Sequence, residues 1–406
     1  MGPNLLPELF PTLLRCRLNP VAIIGDIHQA FLQLQLDEKD RDLTIFFWYR
    51  VTRDDEGNYN TTDEVFSYRF TSLSFGLTCS PFLLSASVRE LATTHKDTFP
   101  TSATLVDRST FMDDFVAGAE DDNGVIAIYY QLTALMRKYS FPMGKWASNS
   151  ELLKNIWKVG GLEIKPITQV LGVSWDITRD TFFTDHRDVT DKAHEGPSTK
   201  RQLLQATSRF YDRMGLMSPV LITGKLIFQD SWCRGVGWDE LLPDDLGTRW
   251  STWVKLLPDL LDIHIPRWVG ARGKVNCQIH VFCDASERAY GAVLYIRSTN
   301  RTGTLVRIVC SKNRLAPLKR VTLPRLEHAC CITFARKRVT TSRKQHCGQI
   351  QPWLWDGYAM TPTGGRRSSQ TVSLKYRPTL RLRSGSTVQV RTIQLITYHV
   401  GSQPSY

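Results

Sequence analysis

Phe111-Met112-Asp113-Asp114-Phe115-Val116 is the stretch on which the fold turns. Two adjacent acids stand between apolar residues, a pattern that reads as a tight hairpin with its arms in a core and its tip carrying carboxylates. Neighbouring carboxylates repel, and one of them would ordinarily take up a proton. A hard divalent cation relieves the repulsion, because Mg2+ takes oxygen ligands and keeps waters for substrate phosphates. Adjacent acids on a solvated turn are common, and Asp54-Asp55 and Asp121-Asp122 fit that plainer description. Apolar neighbours on both sides separate Asp113-Asp114 from those pairs.

Upstream, the apolar run Val21–Ile24 ends at Gly25-Asp26 and reads as a buried strand with a carboxylate at its end. Asp26 is the natural third acid of a two-metal site, which activates an attacking oxygen and stabilises a leaving group in an in-line displacement. Thr44–Tyr49 reads as a second strand, Asp54-Asp55-Glu56-Gly57-Asn58 as a turn, and alternating Phe66, Tyr68 and Phe70 as a third strand. Ser80-Pro81 opens a helix with proline in a tolerated first-turn position. Downstream, Val125, Ile128, Leu132, Leu135 and Tyr139 share one face of a helix over 122–139. This order of elements describes an α+β domain with an antiparallel sheet.

From Ser198 the pattern turns helical. Thr199 and Gln202 fit a capping box, a helix runs on to Gly215, another from Pro219 towards Arg234, and a third lies around Trp250–Leu257. Ile279–Cys283, Tyr290–Ile296 and Leu305–Cys310 then read as three consecutive strands, and a helix starts at Pro324. Asp284 sits at the first of these strands and Glu327 in the first turn of that helix, a second carboxylate set.

Several of these segments resemble a known family. Asp26-Ile27-His28-Gln29-Ala30-Phe31, Ser74-Phe75-Gly76-Leu77-Thr78-Cys79-Ser80-Pro81 and Phe111-Met112-Asp113-Asp114 look like three successive motifs of the reverse-transcriptase palm. Gly144-Lys145-Trp146-Ala147-Ser148-Asn149 and Leu171-Gly172-Val173-Ser174-Trp175-Asp176 resemble later palm signatures. With Gly215-Leu216-Met217-Ser218-Pro219 and Gly237-Trp238-Asp239-Glu240 downstream, the wording is similar to the Pol polyprotein of BEL/Pao long-terminal-repeat retrotransposons, over residues 1 to about 327.

The resemblance implies a palm with partial fingers over 1–178, a helical thumb or connection over 179–272 and an incomplete ribonuclease H-like α/β domain over 273–327. It implies an RNA-directed DNA polymerase fragment of weak or lost activity, with a non-catalytic relic that binds nucleic acid as the alternative. Asp26, Asp113 and Asp114 would hold two Mg2+ or Mn2+ ions, and Lys145 would give a proton to pyrophosphate. Phe31 would stand as the gate against a ribose 2′-hydroxyl, with Phe75 and Gly76 beside the incoming nucleotide. Plain core packing competes as an account of Phe31, and a solvated surface role as one of Lys145. Leu171–Asp176 would grip the primer. The implied partners are an RNA template, a DNA primer and deoxynucleoside triphosphates, in the cytoplasm and in retroelement particles. Asp284 and Glu327 would be the remnant of a ribonuclease H site. That family needs about four acids there, in a later Trp-x-Asp-Ser-like segment among others, and Trp353-Leu354-Trp355-Asp356 is a poor substitute, so ribonuclease H activity is expected to be absent.

Charge and composition add bounds. The chain has 406 residues and a net charge of +12, which would suggest a polyanionic partner. Residues 328–406, however, carry 12 of the 51 Lys and Arg and only Asp356 among the acids, a local +11 that leaves +1 for residues 1–327. Any groove for nucleic acid in the body must therefore come from local arrangement. The tail shows no sustained period and is expected to be disordered or the product of a shifted reading frame. No apolar run approaches the length of a membrane span, and no signal peptide is expected at the start.

Overall fold

The computed structural model describes residues 5–270, 276–301 and 303–329, together with the short strands at 379–381 and 387–389. By contact clustering the chain forms two compact units. The first comprises Met1–Glu8 and Val21–Ile164, the second Leu9–Pro20 and Lys165–Tyr406. Helix α1 (Leu9–Leu18) therefore belongs to the second unit although the strand that follows it opens the first.

The first unit is built on a four-stranded antiparallel sheet. Its strands are β1 (Val21–Ile27), β4 (Thr110–Phe111), β5 (Asp114–Ala119) and β6 (Met143–Ser148), in the order β4-β5-β1-β6. A separate ribbon of β2 (Ile45–Arg53) and β3 (Tyr59–Arg69) is inserted between β1 and β4. Helices α2 (Ser80–Thr94), α3 (Pro100–Ser109), α4 (Asp122–Arg137) and α5 (Glu151–Val159) complete the unit. The core joins Ile23, Ile27 and Phe115 of the sheet to Leu84, Leu91, Val106, Val125 and Leu132 of the helices. The helix expected over 122–139 stops at Arg137; of its five apolar positions four are buried, while Tyr139 lies beyond the helix and is exposed. Asp121, set down as a solvated acid, is the N-cap of α4, and its carboxylate accepts from Gly124 N at 2.8 Å.

The strands expected at Thr44–Tyr49 and Phe66–Phe70 are present but longer, and they pair only with each other. Every position of β2 is exposed, including Phe47, Trp48 and Tyr49.

In the second unit β7 (Ile167–Val170), β8 (Val173–Asp176), β9 (Thr181–Phe183) and β10 (Ile265–Pro266) form a sheet in the order β10-β9-β8-β7. Helices α6 (Arg187–Glu195), α7 (Lys200–Arg209), α8 (Ser218–Cys233) and α9 (Asp244–Leu256) pack through Leu203, Leu221, Ile227, Leu246, Trp250 and Trp253. Strands β11 (Asn276–Ala285), β12 (Ala289–Asn300) and β13 (Gly303–Leu315) form an antiparallel meander, followed by a helix over residues 323–329. Strands β14 (Thr379–Arg381) and β15 (Thr387–Gln389) pair as a short hairpin. No helix among the described residues is long and apolar enough to cross a membrane.

Two fully buried arginines bind α1 into this unit. Arg17 donates to the carbonyls of Pro266, Arg267, Ile308 and Val309, and Arg267 donates to both oxygens of Asp180 and to the carbonyls of Asn19 and Pro20. A buried guanidinium is tolerated only when its donors are satisfied in this way. The Gly215-Leu216-Met217-Ser218-Pro219 motif also finds its reason here. Gly215 has φ +72°, and a Cβ there would lie 2.1 Å from the Ser311 carbonyl oxygen, so only glycine lets the loop before α8 meet β13.

Candidate active site

Asp26 lies within β1, one residue from its end, with β5 on one side and β6 on the other. The β1–β5 register sets Asp26 directly across from Asp114, and Ile27 N donates to the Asp113 carbonyl at 2.9 Å. Phe111 pairs with Asp114, so Met112-Asp113 is the two-residue turn between β4 and β5. Such turns need a positive φ that glycine usually supplies, and here Met112 adopts φ 56°. The three acids are thus brought together by strand register: Asp26 and Asp114 as cross-strand neighbours, Asp113 at the adjoining tip.

The register on the other side of β1 is irregular. Ile24 pairs with Ala147 but Asp26 with Gly144, which places Lys145 and Trp146 in a bulge. Lys145 takes φ 44°, and its ammonium meets Asp26 Oδ2 at 2.5 Å. Asp26 is 8% exposed, and its other oxygen, Oδ1, is buried without a hydrogen-bond partner.

Asp114 is pushed up to about 6, first by burial, then by the charges of Asp113 and Asp26, with Lys145 pulling partly the other way. This is the proton uptake expected of one member of a crowded acid pair. Among the described residues no three His, Cys, Asp or Glu side chains converge on one point as a preassembled metal cage. The donor set nevertheless suits a hard cation: all ligands are carboxylate oxygens, they repel one another, and the buried Oδ1 lacks a partner.

Phe31 lies in a single 3-10 turn, Ala30–Gln33, partly buried against the core of the first unit. Its ring meets that of Phe75 edge-on, centroids 6.4 Å apart, while Phe75 is itself 73% exposed. The structure therefore joins two candidate positions that lie far apart in the sequence. Gly76 has φ +90° and open space where a Cβ would project, so backbone conformation and not crowding calls for glycine there. Leu171-Gly172 forms the turn between β7 and β8, both residues with positive φ, and Tyr211 Oη donates to the Leu171 carbonyl at 2.7 Å. This turn falls in the second unit.

The second carboxylate set is also brought together. Asp284 lies on β11, exposed, and Glu327 lies in the helix over residues 323–329. The carboxyl of Glu327 is raised, first by burial and then by the charge of Asp284. Trp353-Leu354-Trp355-Asp356 lies outside the described residues, as does nearly all of the basic tail.

Sequence reasoning did not foresee the ion pair between Lys145 and Asp26 or the strained turn at Met112. The bulge that aims Lys145 depends on pairing between strands more than a hundred residues apart, which leaves no local signal.

Residues 199–355 match the family model of the Pao retrotransposon-like RNaseH-like domain. A solved structure of the foamy viral protease-reverse transcriptase dRH in complex with ds DNA is similar in fold, with a TM-score of 0.53 and 14% identity over 85% of this chain. Over these residues the chain resembles a Pao/BEL retrotransposon Pol region. The chain covers 52% of the foamy viral chain, about half its length. No curated protein matches it. The family match begins at the N-cap of α7, so it takes in the helices that the sequence assigned to a thumb or connection. It also continues to residue 355, so the family resemblance does not stop at Glu327 as expected.

Proposed function

We propose that the first unit of this Pol region is the palm of an RNA-directed DNA polymerase, adding deoxynucleotides to a primer at the Asp26, Asp113 and Asp114 site. The observation that carries this reading is the strand register that makes Asp26 and Asp114 neighbours beside the Asp113 turn. Asp26 and Asp113 would hold two Mg2+ or Mn2+ ions, with Asp114 in support. When bound, such ions lower the barrier to attack by the primer hydroxyl and neutralise the leaving pyrophosphate.

Four further residues would supply the rest. Phe31, whose ring meets Phe75 edge-on, would act as the gate against a ribose 2′-hydroxyl. Gly76 leaves room for base and template to approach the backbone. Lys145, whose ammonium lies on Asp26, would offer a proton to the departing pyrophosphate. A primer–template duplex is the expected partner, by likeness to the foamy viral protein solved with ds DNA, and retroelement particles in the cytoplasm are the expected setting. The Asp284 and Glu327 pair is read as a remnant without ribonuclease H activity; cleavage of an RNA–DNA hybrid that depends on Glu327 overturns this.

Primer extension on poly(rA)–oligo(dT), comparing the chain with Asp113→Asn, tests the polymerase reading. Incorporation lost in the variant supports it. No incorporation by either, with salt-sensitive hybrid binding retained, assigns the chain to a non-catalytic role.

A further inference from the structure

We propose that Lys145 is a built-in counter-cation of Asp26, occupying the carboxylate until a divalent ion displaces its ammonium. The inference rests on the assignment of Asp26 and Asp113 as metal ligands and adds to it a competitor within the chain.

The geometry is asymmetric in a way that suits displacement. The Asp26 side chain is 11% exposed, so its charge needs a partner in the absence of metal. The Lys145 side chain is 81% exposed, so an ammonium released from Asp26 is already at the surface and hydrates at once. The lysine reaches the carboxylate only because the β6 bulge and a left-handed backbone at Lys145 turn it there. Such a conformation in a residue other than glycine is maintained at a cost, and the buried Trp146 beside it fixes the bulge. Lys145 takes Oδ2 alone. Oδ1 faces Gly144, where a Cβ would stand 3.4 Å away, and keeps no partner of its own. The carboxylate is thus half satisfied: sufficient to hold Asp26 in place opposite Asp114, and insufficient to match the coordination a divalent ion offers.

Two consequences follow. Metal binding is weaker than the three carboxylates alone would give, because each ion must first break an ion pair. The free ammonium also exists mainly when the site is loaded, which couples its availability for an anionic substrate to the presence of metal.

Mn2+ binding to the full chain, read from the electron paramagnetic resonance signal of free Mn2+, tests this. Lys145→Met is expected to tighten binding about two- to fivefold, the size of a part-exposed ion pair. Lys145→Arg, which keeps the charge, is expected to bind like the parent, and Asp113→Asn to lose the site. Unchanged or weaker binding in Lys145→Met, with Asp113→Asn still abolishing it, overturns the inference and leaves the metal site standing. Binding indifferent to Asp113→Asn removes the metal reading and the inference with it. If Lys145→Met does not fold, the Lys145 Nζ resonance of the unsubstituted chain decides. It is expected to be protected without metal and lost to solvent exchange on adding Mg2+, and a resonance unchanged by Mg2+ overturns the inference.

Discussion

The two carboxylate sets of this chain use the same side chains in opposite settings. Asp26, Asp113 and Asp114 are fixed by strand register, Asp26 pairs with Lys145, and burial, followed by the charges of Asp113 and Asp26, pushes Asp114 up to about 6. Asp284 sits near a strand end, exposed, and Glu327 on the helix over residues 323–329, half-buried, with its carboxyl raised first by burial and then by the charge of Asp284. Burial is what differs. A carboxylate held in low dielectric can be relieved only by a proton, a cation or displacement of the chain, whereas a solvated one is screened by water. Under the proposed function the first set is the one expected to bind ions.

The largest expected effect is on catalysis. Asp113→Asn should lower primer extension by about a thousandfold or more, the scale for removing a group that stabilises transition-state charge, whereas Glu327→Gln should leave extension unchanged. Equal losses in both would erase the distinction between the sets.

A structural control comes next. Gly215→Ala, remote from both sets in sequence, should cost the second unit about 3 kcal/mol in urea unfolding, since its Cβ meets the Ser311 carbonyl and its φ is left-handed. Extension unchanged at low temperature, with early melting, would separate stability from chemistry.

A smaller effect is expected from Asp114→Asn in the metal-free protein. The folded carboxyl titrates near 6 against an ordinary 3.8, so its burial costs nothing at pH 3 and a progressively larger amount as pH rises from about 4 to 6. The variant should therefore be the more stable by about 1–2 kcal/mol at pH 7, after discount for partial exposure, and equal to the parent at pH 3. A parent whose stability is flat across that interval would show that the crowding is already relieved. Smallest of all, Glu327→Gln should change stability by less than about 0.5 kcal/mol at pH 7, with the same sign.

How legible each element was follows from the range of the forces that set it. The hairpin at Asp113-Asp114 could be read because apolar arms and polar tip are neighbours in the chain. The helix from Asp122 was readable through its period, and failed only at Tyr139, where a turn after Arg137 replaces the last helical residues. The two strands of the β2–β3 ribbon were visible in the sequence, the second by alternation, but the exposure of their aromatic residues was not, because among the described residues no other strand pairs with the ribbon. Phe46 meets Tyr68 and Phe70 ring to ring, and Arg50 and Arg53 lie over Phe66 and Tyr59, giving those side chains partial shelter.

By itself, then, the sequence determined which residues could serve as a metal-binding set, and the order of strands and helices around them. Hydrophobic period and turn chemistry act over a few residues, and a linear reading captures them. Only the tertiary structure decided that Lys145 would neutralise Asp26, that Phe31 would lean on Phe75, and that α1 would be bound into the second unit by Arg17 and Arg267. Each of these joins residues far apart in the chain. They depend on register, bulges and the need to satisfy buried charge, and those are fixed only once the strands have paired.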